Sequence, residues 1–143
     1  MDAYQRKILL GSLIVLMFVF KTKNMRIKEL NHVALYVRDV EASVRFYRDG
    51  LGLEPIPRPA FSFPGAWFRL GEQQELHLIG NRSEPYELPR ARHFALAVDD
   101  IQKAADFLRK QGLDFQAPEQ RPDGIWQIFL QDPDGYFVEL TQL

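Results

Sequence analysis

The sequence predicts an α+β protein built as two tandem copies of one unit, each a strand, a helix and then two or three antiparallel strands. Two observations carry that prediction: an internal repeat, and the same order of hydrophobic periods in each copy. Shifted by 61 positions, His32-Val-Ala-Leu-Tyr-Val-Arg-Asp39 lies over His93-Phe-Ala-Leu-Ala-Val-Asp-Asp100, and seven of the seventeen positions in 32–48 and 93–109 are identical. Such self-similarity sets the architecture before any single element is read. The polar, Pro-containing stretch 81–92 joins the copies.

Each copy opens on a run rich in Val, Leu and Ala (31–37 and 93–98), which reads as a strand. Asp39 and Asp100 follow where a helix N-cap belongs, since a short carboxylate can accept from the free N–H groups of the first turn. Val40, Val44, Tyr47 and Leu51 then recur at helical spacing, as do Ile101, Ala104, Ala105 and Leu108. Gly50 with Gly52, and Gly112, are expected to end those helices as left-handed caps. Later strands are predicted over 66–70 and 75–79, and over 125–130 and 136–141. The last two are joined by Gln131-Asp-Pro-Asp-Gly135, a turn signal because Pro presets φ and Gly accepts a positive one.

Strand alternation assigns side chains to faces. His32, Ala34 and Tyr36 oppose Val33, Leu35 and Val37; His93, Ala95 and Ala97 oppose Phe94, Leu96 and Val98. The apolar faces seat the helices. The other faces gather Glu75, His77 and Ile79 from one copy with Phe137, Glu139 and Thr141 from the other. All three histidines, with Glu75 and Glu139, therefore fall on the faces away from the helices, where small residues leave room for a cavity.

Composition narrows the chemistry. The 143 residues suffice for one domain, and 46% are apolar, enough for a packed core. There is no cysteine, so disulfides, thiolate metal sites and cysteine nucleophiles are excluded. A formal charge of −1 gives no electrostatic case for nucleic acid as partner. Residues 1–24 differ from the rest: the apolar run 8–20 is thirteen residues long, short of the roughly 20 that span a bilayer. Three readings stay open for it, namely an export or membrane-anchoring signal, a helix packed on a partner, or translated sequence ahead of a natural start at Met25. The last is preferred, which leaves a single domain over 25–143 with modules 29–80 and 90–143. The expected location is the cytoplasm, with export or membrane association through residues 1–24 as the alternative.

Imidazoles and carboxylates gathered on sheet faces form a candidate metal site, because burying ionisable groups is costly unless they are paired or coordinated. The donor types suit one divalent ion: Zn, Ni, Co, Mn or Fe.

The run from His32 to Leu53, His-Val-Ala-Leu-Tyr-Val-Arg-Asp-Val-Glu-Ala-Ser-Val-Arg-Phe-Tyr-Arg-Asp-Gly-Leu-Gly-Leu, resembles the opening of the glyoxalase, bleomycin-resistance and extradiol-dioxygenase group, the vicinal oxygen chelate superfamily. Asp132-Pro-Asp-Gly-Tyr-Phe-Val-Glu139-Leu resembles its closing strand. The resemblance implies paired βαβββ modules whose sheets curl around a metal-containing cavity, with ligands on the first and last strands of each module. Position by position it implies His32 and His93 as first-strand ligands and Glu139 as the last-strand ligand of the second module. For the remaining ligand, overlaying Leu76-His77-Leu78 on Val138-Glu139-Leu140 nominates His77; overlaying Glu75-Leu76 on Glu139-Leu140 nominates Glu75. His77 is preferred, and it departs from glyoxalase I, which carries a glutamate there.

The resemblance implies a metal-dependent enzyme acting on a small substrate with vicinal oxygens. In a glyoxalase I-like lyase or isomerase the ion stabilises an enediolate while Glu139 or Glu75 moves the proton. Extradiol ring cleavage is the first alternative, using His32, His93 and Glu139. The second is a non-enzymatic binder of the bleomycin-resistance kind. A fosfomycin-type transferase is disfavoured because no Arg/Lys cluster lies on the cavity strands, and Arg69 reads as a solvated edge residue. Phe61, Phe63, Trp67, Phe68 and Trp126 are expected either to line an apolar pocket or to pack the core. A homodimer is expected, and whether the metal site closes within one chain or between two stays open.

Overall fold

The computed structural model describes residues 25–84 and 87–143. The preferred and alternative readings of residues 1–24 all fall outside the described residues. Among the described residues no helix is long and apolar enough to cross a membrane.

The first module contains β1 (His32–Tyr36), α1 (Val40–Val44) running into a π-helical turn (Arg45–Gly50), β2 (Pro55–Ile56), β3 (Gly65–Leu70) and β4 (Gln74–Ile79). The second contains β5 (His93–Val98), α2 (Ile101–Lys110), β6 (Glu119–Gln120), β7 (Trp126–Gln131) and β8 (Phe137–Gln142). Each makes its own four-stranded sheet, in the orders β1-β4-β3-β2 and β5-β8-β7-β6. The first strand of each sheet pairs parallel with the last, and the remaining pairs are antiparallel. Both modules are thus βαβββ. The short strands β2 and β6 lie in or beside segments that carry no strand pattern in the sequence, because two residues are too few to show alternation.

Both N-caps form as the sequence predicts. Asp39 accepts from the Ala42 N–H, and Asp100 from those of Gln102 and Lys103. The first helix departs from expectation in its second half, where the Leu51 N–H reaches the Phe46 carbonyl at 2.9 Å, a five-residue step. Gly52 and Gly112 do adopt positive φ, at 72° and 70°. Gly50 does not: it is a buried point of close approach, where a Cβ would meet Leu113 Cδ1 at 3.1 Å.

The core is continuous through both modules. Leu35, Val37, Phe68, Leu76 and Leu78 from the first join Ile101, Leu108, Ile128, Val138 and Leu140 from the second. Leu35, Leu76, Leu78, Val138 and Leu140 are on the faces that the sequence turns toward the helices, and along β1 and β5 burial alternates as the sequence does. The opposite faces stay open along β1 and β5, where His32, Ala34, Tyr36, His93, Ala95 and Ala97 are all exposed.

A polar joint holds the modules together. The Tyr47 hydroxyl donates to Asp132 Oδ2 at 2.8 Å, and the Arg38 backbone N–H and guanidinium both reach Asp134. Arg82 Nη1 lies 3.2 Å from Asp134 Oδ1, with both side chains buried. The Tyr136 hydroxyl bonds the backbone of Tyr36, covering the C-terminal end of β1. Burial, as the larger cause, and the neighbouring Asp132 push the Tyr47 hydroxyl well above its usual range; burial likewise raises Asp132.

Candidate metal centre

Strand register places each candidate ligand. In the first sheet Ala34 pairs with His77, and in the second Ala95 pairs with Glu139; one row away, His32 pairs with Glu75 and His93 with Phe137. His77 is therefore the structural counterpart of Glu139, while Glu75 corresponds to Phe137. The two overlays that the sequence left open are separated by this register.

On the first sheet the His32 and His77 rings stack with centroids 4.4 Å apart, and His77 stacks on Trp67 at 3.9 Å and 6°. The stack follows from pairing, since Trp67 stands directly across from His77 on β3. His77 Nε2 donates to Glu75 Oε2 at 2.7 Å, so Glu75 orients the ring, leaving the lone pair on Nδ1. His32 Nδ1 bonds the Asn31 side-chain oxygen at 2.8 Å.

On the second sheet the His93 Nδ1–H donates to the Arg90 carbonyl at 2.8 Å, which leaves the lone pair on Nε2. That nitrogen lies 3.0 Å from Glu139 Oε2. A lone pair facing a carboxylate at that distance needs a cation between them, either a proton or a metal ion. Glu139 is 4% exposed, and its other oxygen, Oε1, is buried with no hydrogen-bond partner. The nearest cation to it is Arg121, whose Nη1 is 3.6 Å away. Arg121 is itself held by Asp123, and that bond is the main reason its guanidinium titrates above the usual value. The donor set of three imidazoles and a carboxylate, with an orphaned carboxylate oxygen, fits a divalent ion.

These residues form two half-sites. Among the described residues no three His, Asp or Glu side chains converge on a point able to hold a metal ion. His32 and His77 belong to one sheet and His93 and Glu139 to the other, and the sheets share no ladder. A cavity of about 990 Å³ reaches residues of both modules, including Leu30, Val33, Leu53, Phe94 and Leu96, but it shares only His93 with the candidate ligands. It is an apolar cleft beside the second half-site.

The remaining sequence candidates divide. Phe68 is fully buried in the core, and Trp126 is 38% exposed. Phe61, Phe63 and Trp67 cluster beside His77, with the Arg58 guanidinium over both phenylalanine rings. Arg69 is exposed and lies 3.6 Å from Glu54, as its surface reading predicts. Arg121 carries no sequence signal, because a loop arginine shows no period. Thr141 could be found from alternation alone, two residues beyond Glu139.

The paired βαβββ modules define a class of fold, and comparisons with known proteins identify it. A profile of the Glyoxalase/Bleomycin resistance protein/Dioxygenase superfamily matches residues 29–140, and the chain belongs to that superfamily. It is 31% identical over 126 residues to Glyoxylase I 4 of Arabidopsis thaliana, covering 81% of this chain and 71% of that protein. It is 33% identical to a protein of a Synechocystis species named as a probable lactoylglutathione lyase, covering 79% and 94%. The crystal structure of the glyoxalase family protein from Enterococcus faecalis superposes with a TM-score of 0.66 at 31% identity, covering 82% of this chain and 99% of that one.

Proposed function

We propose that this chain is a divalent-metal-dependent lyase or isomerase of the lactoylglutathione lyase type, working on a small substrate with vicinal oxygens. The carrying observation is the His93–Glu139 contact, in which an imidazole nitrogen and a carboxylate oxygen face each other at 3.0 Å. Relatives bearing lactoylglutathione lyase names at about 30% identity support the reaction class.

The ion would be held by His32, His77, His93 and Glu139. When bound it supplies a Lewis acid that polarises adjacent oxygens of the substrate. Glu139 Oε1, buried and without a hydrogen-bond partner, takes a proton from one substrate carbon and returns it to the next. Glu75 and the Arg90 carbonyl fix the ring orientations of His77 and His93. Arg121 stands beside the carboxylate, with Nη1 3.6 Å from Oε1.

The two half-sites meet between two copies of the chain. His32 and His93 lie on β1 and β5, each at the free edge of its sheet, while the contact within one chain is made at the other end of β1, through Tyr136 and Asp134. A two-fold pair brings the first module of one copy to the second module of the other, and does so twice. The dioxygenase alternative needs a histidine outside the ligand set, and the third histidine is bound to Glu75 between His32 and Trp67.

The test is subunit complementation. His32→Ala and Glu139→Ala proteins, each loaded with Zn, Ni or Co, are assayed alone for the hemithioacetal of methylglyoxal and glutathione, then mixed under exchange conditions. Each alone should lose at least a hundredfold in activity. Random re-pairing makes half the dimers mixed, each with one intact site of two, so the mixture should recover about a quarter of the wild-type rate. No recovery places the site within one chain, and activity that survives both substitutions sinks the metal-lyase reading.

A further inference from the structure

Two oxygens on the open face of β8 are buried without a hydrogen-bond partner: Glu139 Oε1 and, two residues on, Thr141 Oγ1. Thr141 is 7% exposed. Its row neighbours are Ala97 on β5 and Gln127 on β7. Ala97 has only a methyl group to offer, and Gln127 Nε2 donates to Glu119 Oε1 at 2.9 Å. A buried hydroxyl left unpaired works against folding, whereas an apolar side chain of the same shape does not. The repeat shows that the fold accepts such a side chain. The position equivalent to Thr141 in the first module is Ile79, which pairs with Tyr36 as Thr141 pairs with Ala97. The hydroxyl therefore belongs to the second module alone, on the face and strand that carry Glu139. Its neighbours on β5, Ala95 and Ala97, are small and exposed.

We infer that Thr141 is a substrate-binding residue whose hydroxyl donates to one of the two vicinal oxygens of the ligand, next to the carbon whose proton Glu139 handles. The inference rests on the proposed function for the identity of the ligand, and on the orphaned hydroxyl for the residue. The vicinal pair must then present an acceptor oxygen toward β5 and β7, as a carbonyl, hydroxamate or enolate oxygen does. An analogue with a methylene in that place loses the bond.

The test compares wild type with Thr141→Val, Thr141→Ile and Thr141→Ser as zinc-loaded full-length proteins. Calorimetry measures binding of acetohydroxamate, a small ligand with vicinal oxygens, and melting is followed without ligand. Thr141→Val should bind about tenfold more weakly and melt at the wild-type temperature or above, with Thr141→Ile behaving alike and Thr141→Ser recovering to within about threefold of wild type. Wild-type affinity in Thr141→Val overturns the inference, as does a lower melting temperature in both apolar variants, which would make the hydroxyl structural. Failure of the wild type to bind acetohydroxamate also counts against it. Failure of the lyase reading is separate: it leaves the hemithioacetal unconverted by wild type while acetohydroxamate still binds through Thr141.

Discussion

The Tyr47 hydroxyl donates to Asp132 Oδ2 at 2.8 Å across 85 residues of sequence, tying the π-helical turn of the first module to the β7–β8 turn of the second. Tyr47 is fully buried and Asp132 is 6% exposed, so neither finds water as a substitute. The remaining Asp132 oxygen, Oδ1, accepts from the Asp134 and Tyr136 backbone N–H groups and shapes the turn. One carboxylate thus orders a loop and joins two modules.

Tyr47→Phe removes the donor and leaves Oδ2 buried and unpaired. It should cost about 1–3 kcal/mol of stability, lowering the melting temperature by several degrees while leaving metal uptake intact. Calorimetric unfolding of the two proteins checks it, and equal melting temperatures would show that the joint carries no stability.

Asp132 also predicts a pH dependence. Burial, the leading cause, raises its pKa in the folded state above the unfolded value, so over the interval between them the folded protein holds more protons. Its contribution to stability is greatest below the unfolded value, falls as pH rises through the folded one, and is constant beyond. Asp132→Asn keeps an oxygen for the turn and should abolish that part of the slope. As pH is raised from the ordinary carboxylate range, the urea midpoint of wild type should therefore fall relative to that of the variant and then level off; a difference that does not change with pH would overturn the assignment.

Trp67 stacks on His77 at 3.9 Å and reports on the first half-site. Binding of Ni or Co at His77 should quench Trp67 emission, with Trp126 supplying an unresponsive background. Trp67→Phe should abolish the response while metal uptake persists. An unaltered quench in that variant would place the ion away from His77.

Gly65 starts β3 where a Cβ would fall 2.3 Å from the Leu78 carbonyl oxygen and 3.1 Å from Arg58 Nε. Backbone cannot yield as a side-chain tip does. Gly65→Ala should destabilise by about 1–3 kcal/mol through forced separation of β3 from β4, the strand that carries His77. Denaturant titration reads the loss directly.

The order of strand and helix in each module, the N-caps at Asp39 and Asp100, and the two faces of β1, β4, β5 and β8 were legible in the sequence. All of these depend on neighbours within a few residues, so periods of 2 and 3.6 and a short side-chain oxygen record them. The repeat added the equivalence of the modules, and with it the assignment of His32, His93 and Glu139 to the same kind of face. Which of Glu75 and His77 is the positional counterpart of Glu139 was not fixed by alternation, because both share one face of one strand; the parallel registers of β1 on β4 and of β5 on β8 give that equivalence to His77. The Tyr47–Asp132 joint, the approach of Arg121 to Glu139 and the orphaned Thr141 hydroxyl were decided only by tertiary structure. Alternation says which way a side chain faces but not what lies opposite, and what lies opposite here arrives from distant parts of the chain. The separation of the candidate ligands onto two sheets has the same origin: sequence spacing puts His32 and His77 on one sheet and His93 and Glu139 on the other, and among the described residues the packing of the sheets does not bring the four together.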